Sequence, residues 1–159
     1  MPGNVPKPQT PYGKFRDLSL SDKRMLVYAS ALMPVFWMRL KLQGFARVSA
    51  AVSGKPKKDH QKLNATLEQM RSTGRIVNAA AAHTLGKNNC LIRSLVLQHL
   101  LSQRGIKSNL RIGVQTQNGV LEAHAWIEKD GRPLNDREDI SESFEVFDEP
   151  VSISAFSRS

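Results

Sequence analysis

One cysteine, Cys90, is all that 159 residues contain. That excludes an internal disulfide framework and every zinc site built on several thiolates, and nothing in the chain calls for an oxidising compartment. Aromatic residues are scarce at 6%. No basic stretch interleaves them as a base-stacking platform would, which argues against a nucleic-acid partner. The opening MPGNVPKPQTPYGKF has two lysines but no apolar core ahead of a cleavage site, so no secretory signal is expected and the cytoplasm is the expected location. Long apolar runs are missing as well. The most apolar stretch, Met25 to Met38, has 14 residues and is interrupted by Pro34, short of the ~20 that span a bilayer. It reads as a kinked core helix, with peripheral contact to a membrane surface or a partner helix as the alternative.

What is present is a chain long enough for one domain and too short for two. Apolar residues make up 40% of it and the mean hydropathy is -0.36. The net charge of +9 is unevenly spread: residues 1–75 hold 14 Lys and Arg against 4 Asp and Glu, and residues 76–159 hold 9 against 10. The basic surplus belongs to the front half, where it would steer an acidic peptide or an acidic partner surface as readily as phosphates.

Three regions follow from the patterning. Residues 1–15, with Pro2, Pro6, Pro8 and Pro11, form an extended arm. Residues 16–75 are helical and basic. Ser19 or Ser21 caps a helix that Pro34 kinks or ends and that resumes toward Gly44, giving a helix pair. SGKPKKDH, residues 53–60, reads as a loop, and a second helix is expected from about Lys62 to Ala82, with Gly74 as a possible break. Residues 76–159 form the core region of what is a single compact domain overall. There LGKNN makes a turn, and Leu91 to Arg104 is apolar nearly all round, the mark of a buried central helix ended by Arg104 and Gly105. Beyond it the period changes to two. Leu110, Ile112 and Val114 form one strand, Ala123, Ala125 and Ile127 a second across a QTQNG turn, and RPLND a third across Asp130-Gly131, which together make an antiparallel meander. Helices followed by a sheet give an α+β class.

Three residues carry the chemistry. With Asn88 or Asn89 as N-cap, Cys90 falls in the first turn of the central helix, where free N–H groups and the helix dipole stabilise a thiolate. On Cys90 alone an inert buried thiol is the commoner outcome. His124, between two alanines in EAHAWIE and on one sheet face with Trp126, is the candidate general base. His60, His83 and His99 are weaker candidates. Asp136, one hairpin later, can hold the far ring nitrogen of His124, although Asn135, Glu138 and Asp139 crowd the same spot. Cysteine at a helix start, histidine on the next strands and aspartate a hairpin later form a more specific pattern than any one of them.

The strings NNCLIRSLVLQHLLSQRGI, LRIGV, AHAWIE and PLND resemble the transglutaminase-like, papain-related cysteine proteases. Over about residues 76–148 they are similar to the leader peptidase of lasso-peptide biosynthesis, the B protein or its C-terminal half. That resemblance implies a central helix carrying Cys90, packed on a small antiparallel sheet, and removal of the leader from a ribosomally made precursor through Cys90, His124 and Asp136. It implies no cofactor and no metal, and as partners the precursor's leader, a separate small leader-binding protein and a lasso cyclase. A fused leader-binding domain would be β-rich and residues 1–75 read as helical, so the stand-alone protease form is expected. Oxyanion or substrate contacts are sought at Asn88, Asn89 and Trp126, with Trp126 expected to pack beside the imidazole and Arg93 to make a structural ion pair or face solvent. The same nucleophile and base would serve a transglutaminase or other acyltransferase, and a basic binding scaffold with an inert Cys90 is the third reading.

Overall fold

Three long helices precede a four-stranded antiparallel sheet in the computed structural model, which describes residues 19–53, 65–85 and 89–147. The expected arm of residues 1–15, most of the SGKPKKDH loop, Asn88 and the C-terminal twelve residues lie outside those described. Helix α1 spans Leu20–Ser53. Of the two candidate caps, Ser19 serves: its Oγ accepts from the Asp22 N–H at 3.1 Å.

Pro34 does not end α1. The helix runs through it and breaks at Gly44, whose φ of 76° suits a residue without a Cβ. A proline inside a helix costs about 3 kcal/mol, but Ala29, Met33 and Phe36, on either side of it, are almost wholly buried. Each large apolar side chain so buried contributes about 1.5–3 kcal/mol. Tertiary burial therefore outweighs the local break. The continuous helix is also long and apolar enough, by length and composition, to cross a membrane, which the interrupted run of 14 residues did not suggest. Its Leu26, Ala29, Met33, Phe36, Val48 and Val52 belong to the hydrophobic core, while Val27, Val35, Met38 and Leu42 are exposed.

Helix α2, Leu67–Thr84, starts later than expected because Thr66 and Gln69 form a reciprocal capping box. Gly74 does not break it. A Cβ there would run into the backbone carbonyl of Leu134, so the glycine marks a close approach of chain to helix. Helix α3, Cys90–Gln103, is the central one. Ser94, Leu95, Val96, Leu97, Gln98, Leu100 and Leu101 are all buried, and Gly105, with φ 74°, follows the Arg104 cap as a helix stop.

Strands β1, Asn109–Gln117, and β2, Val120–Lys129, pair over their whole length through an Asn118-Gly119 turn. Both turn residues have positive φ, as does the Asp130-Gly131 pair that follows β2, the requirement of two-residue hairpin turns with the strand's own twist. The third strand is much shorter than RPLND suggested. Strand β3 is only Arg132–Pro133, and the chain then bends through residues 134–136. A one-turn helix α4, Ile140–Ser143, leads into β4, Glu145–Val146, which pairs with β1 on its free edge and completes the order β3-β2-β1-β4. Neither α4 nor β4 has a sequence signature of its own. The core of the molecule lies where α1, α2 and α3 meet Ile127 of β2 and Leu134.

Candidate active site

Cys90 is the first residue of α3 and is half-buried. Asn89 stands at the N-cap position, but its side chain makes no capping bond. Its Nδ2 donates instead to the Ala81 carbonyl of α2 at 3.2 Å, which ties the start of α3 to the end of α2. The expected side-chain cap is thus replaced by a tertiary anchor. Asn88, the other candidate, is outside the described residues.

Strand β2 brings His124 to this helix end. The imidazole lies near enough to the Cys90 thiol to lower its pKa, and its Nε2 lies 2.7 Å from Asp136 Oδ2. Nε2 being committed to the carboxylate, Nδ1 is the nitrogen left for sulfur. Phe144 stacks on the ring at a centroid distance of 5.2 Å and Trp126 at 6.0 Å. Trp126 is fully buried, and its Nε1 donates to Glu128 at 2.7 Å. It therefore packs beside the imidazole and cannot touch a substrate, which removes it from the substrate candidates. Gly113 sits opposite His124 in the β1–β2 register. A Cβ there would meet Phe144 at 2.8 Å and Trp126 at 3.1 Å, so this glycine makes room for the aromatic wall around the imidazole.

Asp136 does not lie at the end of a third strand, as RPLND suggested, but in the bend after β3. Its placement depends on Asn135, which is buried. Asn135 Oδ1 accepts from the Ile127 N–H at 2.8 Å, its Nδ2 donates to Ser94 Oγ at 3.1 Å, and its carbonyl accepts from Asn78 at 2.8 Å. Ser94 Oγ in turn donates to the Ala125 carbonyl at 3.0 Å. One buried amide thus joins β2, α3 and α2 and turns the next side chain toward His124. In the sequence Asn135 stands only as a neighbour crowding Asp136. The available signal was an amide directly after an apolar residue in a segment that had to pass through the interior.

The competition among the acidic residues is resolved by distance. Glu138 bonds Arg71 at 2.6 Å and Asp139 lies 3.6 Å from Arg137, both exposed, while Asp136 alone reaches the histidine. Asp136 Oδ2 also accepts from Arg93 Nη2 at 3.1 Å, and its Oδ1 from the Arg137 N–H at 3.0 Å. The Arg93 Nε is buried and has no hydrogen-bond partner among the described residues, an arrangement that costs about 1–3 kcal/mol. His83 is exposed, and His99 packs on Phe36 with its pKa lowered by burial and by Arg39. Neither approaches Cys90, and His60 is outside the described residues.

The electrostatics follow from these contacts. The hydrogen bond to Asp136 raises His124 to about 9, helped by the bond to Cys90. Burial pushes the Cys90 thiol up, but the hydrogen bonds of His124 and of the Ala125 backbone, with the charges of His124 and Arg93, outweigh it and leave the pKa below its ordinary value. Asp136 is likewise raised by burial and lowered further by its bonds to His124 and the Arg137 backbone. A lowered thiol beside a raised imidazole favours the thiolate–imidazolium pair. Among the described residues no group of three or more His, Cys, Asp or Glu converges as metal ligands.

Behind Asp136, away from the sulfur, an open cleft of about 490 Å³ is lined by Arg71, Arg75, Arg93 and Arg137. Each of these guanidiniums already has a carboxylate of the chain beside it. Neither Cys90 nor His124 lines the cleft.

Residues 32–148 match the family described as the transglutaminase-like superfamily. Over 63 residues the chain is 35% identical to the microcin J25-processing protein McjB of Escherichia coli, a stretch that covers 40% of this chain and 29% of that relative. The resemblance to a lasso-peptide B protein read from the residues agrees with that match. No solved structure gives a significant match. With a match over most of its length, and with the α+β order of central helix and small antiparallel sheet, the chain belongs to the transglutaminase-like superfamily.

Proposed function

We propose that this protein is a cysteine peptidase that removes the leader from a ribosomally made lasso-peptide precursor, with Cys90 as nucleophile, His124 as acid and base, and Asp136 as the group that orients His124. The observation that carries the reading is the chain of contacts Cys90–His124–Asp136, assembled from the first turn of α3, the middle of β2 and the bend after β3. Similarity to a microcin-processing protein supports the substrate class.

The chemistry runs from the ion pair. The Cys90 thiolate attacks the scissile carbonyl, the C–S bond forms, and the oxyanion is met by the backbone N–H of Cys90 at the helix N-terminus. As the intermediate collapses, the C–N bond breaks and His124 Nδ1–H passes its proton to the departing amine. Water then attacks the thioester while His124 takes its proton, and the thiolate leaves. Asp136 holds the ring throughout and stabilises the imidazolium without taking the proton.

The leader-binding protein and the cyclase are the partners this reading calls for, and the cytoplasm is where it places the reaction. The test is mass spectrometry of a precursor peptide incubated with the protein and the leader-binding partner, wild type beside Cys90→Ala. Leader and core fragments that sum to precursor plus one water, absent with Cys90→Ala, are expected. Transfer to an amine instead would make the protein an acyltransferase of the same superfamily, and intact precursor with both proteins would overturn the catalytic reading.

A further inference from the structure

We infer that Arg93 is a positioning residue of this site: it clamps the carboxylate oxygen that receives His124 and holds a fixed positive charge one helical turn from Cys90. The inference rests on the reading of Cys90, His124 and Asp136 given above.

Asp136 Oδ2 has two donors, His124 at 2.7 Å and Arg93 Nη2 at 3.1 Å, and Oδ1 has the Arg137 N–H. A carboxylate held at three points cannot turn about its own axis, so the imidazole that depends on it has one orientation. Arg93 differs from the other arginines of the cleft. Arg71, Arg75 and Arg137 pair with carboxylates that are 79%, 72% and 60% exposed, whereas Arg93 and Asp136 are 22% and 14% exposed. Exposed pairs are screened and weak, while this one works in a lower dielectric. Its buried, unpartnered Nε makes Arg93 a poor device for stability alone. Its place in α3 explains more, since residues three apart on a helix share a face and the same rigid turn thereby carries the nucleophile and the cation. The charged groups around the reacting pair are then Arg93 from α3, His124 from β2, Asp136 and Arg137 from the bend, and Arg71 and Arg75 across the cleft from α2. Of these, His124 and Arg93 are the charges that act on the thiol, both in the direction of the thiolate.

The test needs no peptide substrate. Cys90 is the only thiol of the chain, so the rate of iodoacetamide labelling against pH, followed by intact mass, reports this site alone. In Arg93→Met the midpoint of the labelling profile should move up by roughly half a pH unit or more. Arg93→Lys, which keeps the charge, should restore most of the shift, and Arg75→Met, whose partner is the exposed Glu68, should leave the midpoint where it is. A merely structural Arg93 would lower the melting temperature and leave the midpoint alone. A folded Arg93→Met with the wild-type midpoint, or an equal shift in Arg75→Met, overturns the inference. Should Arg93→Met fail to fold, Arg93→Gln takes its place with the same criteria. A wild-type Cys90 that titrates as a free thiol near pH 8.5 sinks the site reading itself, and the role of Arg93 with it.

Discussion

Gly74, in the middle of α2, lies directly against the backbone carbonyl of Leu134, two residues before the carboxylate that holds His124. Helix and bend approach so closely that no side chain fits between them. Arg71, one turn earlier on α2, donates through Nε to the Pro133 carbonyl at 3.2 Å, and Asn78, one turn later, donates to the Asn135 carbonyl. Three successive turns of one helix thus hold the three residues before Asp136. Gly74→Ala should therefore lose stability despite the better helix propensity of alanine. The overlap costs about 1–3 kcal/mol against a gain of at most about 1 kcal/mol. Urea denaturation measures the balance, and unchanged stability would show that the bend yields easily.

Asn135→Leu should be the more damaging change. It leaves the Ile127 N–H without its partner in the interior, at about 1–3 kcal/mol for a buried group stranded, and removes the donor to Ser94 Oγ, which keeps its bond to the Ala125 carbonyl. A drop in stability of about 1–3 kcal/mol is expected, together with slower Cys90 labelling as Asp136 loses its support. Wild-type labelling in a destabilised Asn135→Leu would separate the fold from the site.

Cys90→Ala and His124→Ala should each abolish peptide cleavage while the circular dichroism spectrum is kept. Asp136→Asn should slow the reaction by roughly 10²-fold or more, in the range that a correctly placed proton-transfer group contributes. Asp139→Asn, with its side chain 60% exposed, should be close to wild type. A reversed order of the two aspartates would mean that the bend moves when substrate binds.

The pH profile has a sign that can be worked out. His124 is raised to about 9, so the imidazolium that must protonate the leaving amine is present below that value and lost as pH rises through it. Cleavage should fall above about pH 9. Asp136→Asn removes the main cause of the raised value, so the falling limb should move toward the ordinary histidine range near 6.5. The acid limb should sit below the ordinary thiol range, because the Cys90 pKa is lowered. An unmoved alkaline limb in Asp136→Asn would assign that limb to another group.

Much of this was legible in order and composition. A helix apolar all round, a change to period two, two turns of the Asn-Gly and Asp-Gly type, and the succession Cys90, His124, Asp136 are local properties written directly in the residues. Helix ends were less legible where local and tertiary terms conflict. Pro34 and Gly74 both read as breaks, and both are carried through because burial and close packing outweigh a helix propensity of a few kcal/mol.

By itself the sequence determined the class of fold, the place of the thiol at a helix start and the strand alternation that puts His124 on one face with Trp126, since each depends on periodicity and turn chemistry within a few residues. Only the tertiary structure decided which carboxylate serves the histidine, that Asn89 anchors to Ala81 instead of capping its own helix, and that Trp126 is a wall and not a contact. Those outcomes depend on distances between elements far apart in the chain. Asn135, Gly74 and Gly113 set these distances by what they bond or leave empty, and their meaning appears only once the helices and the sheet have been brought together.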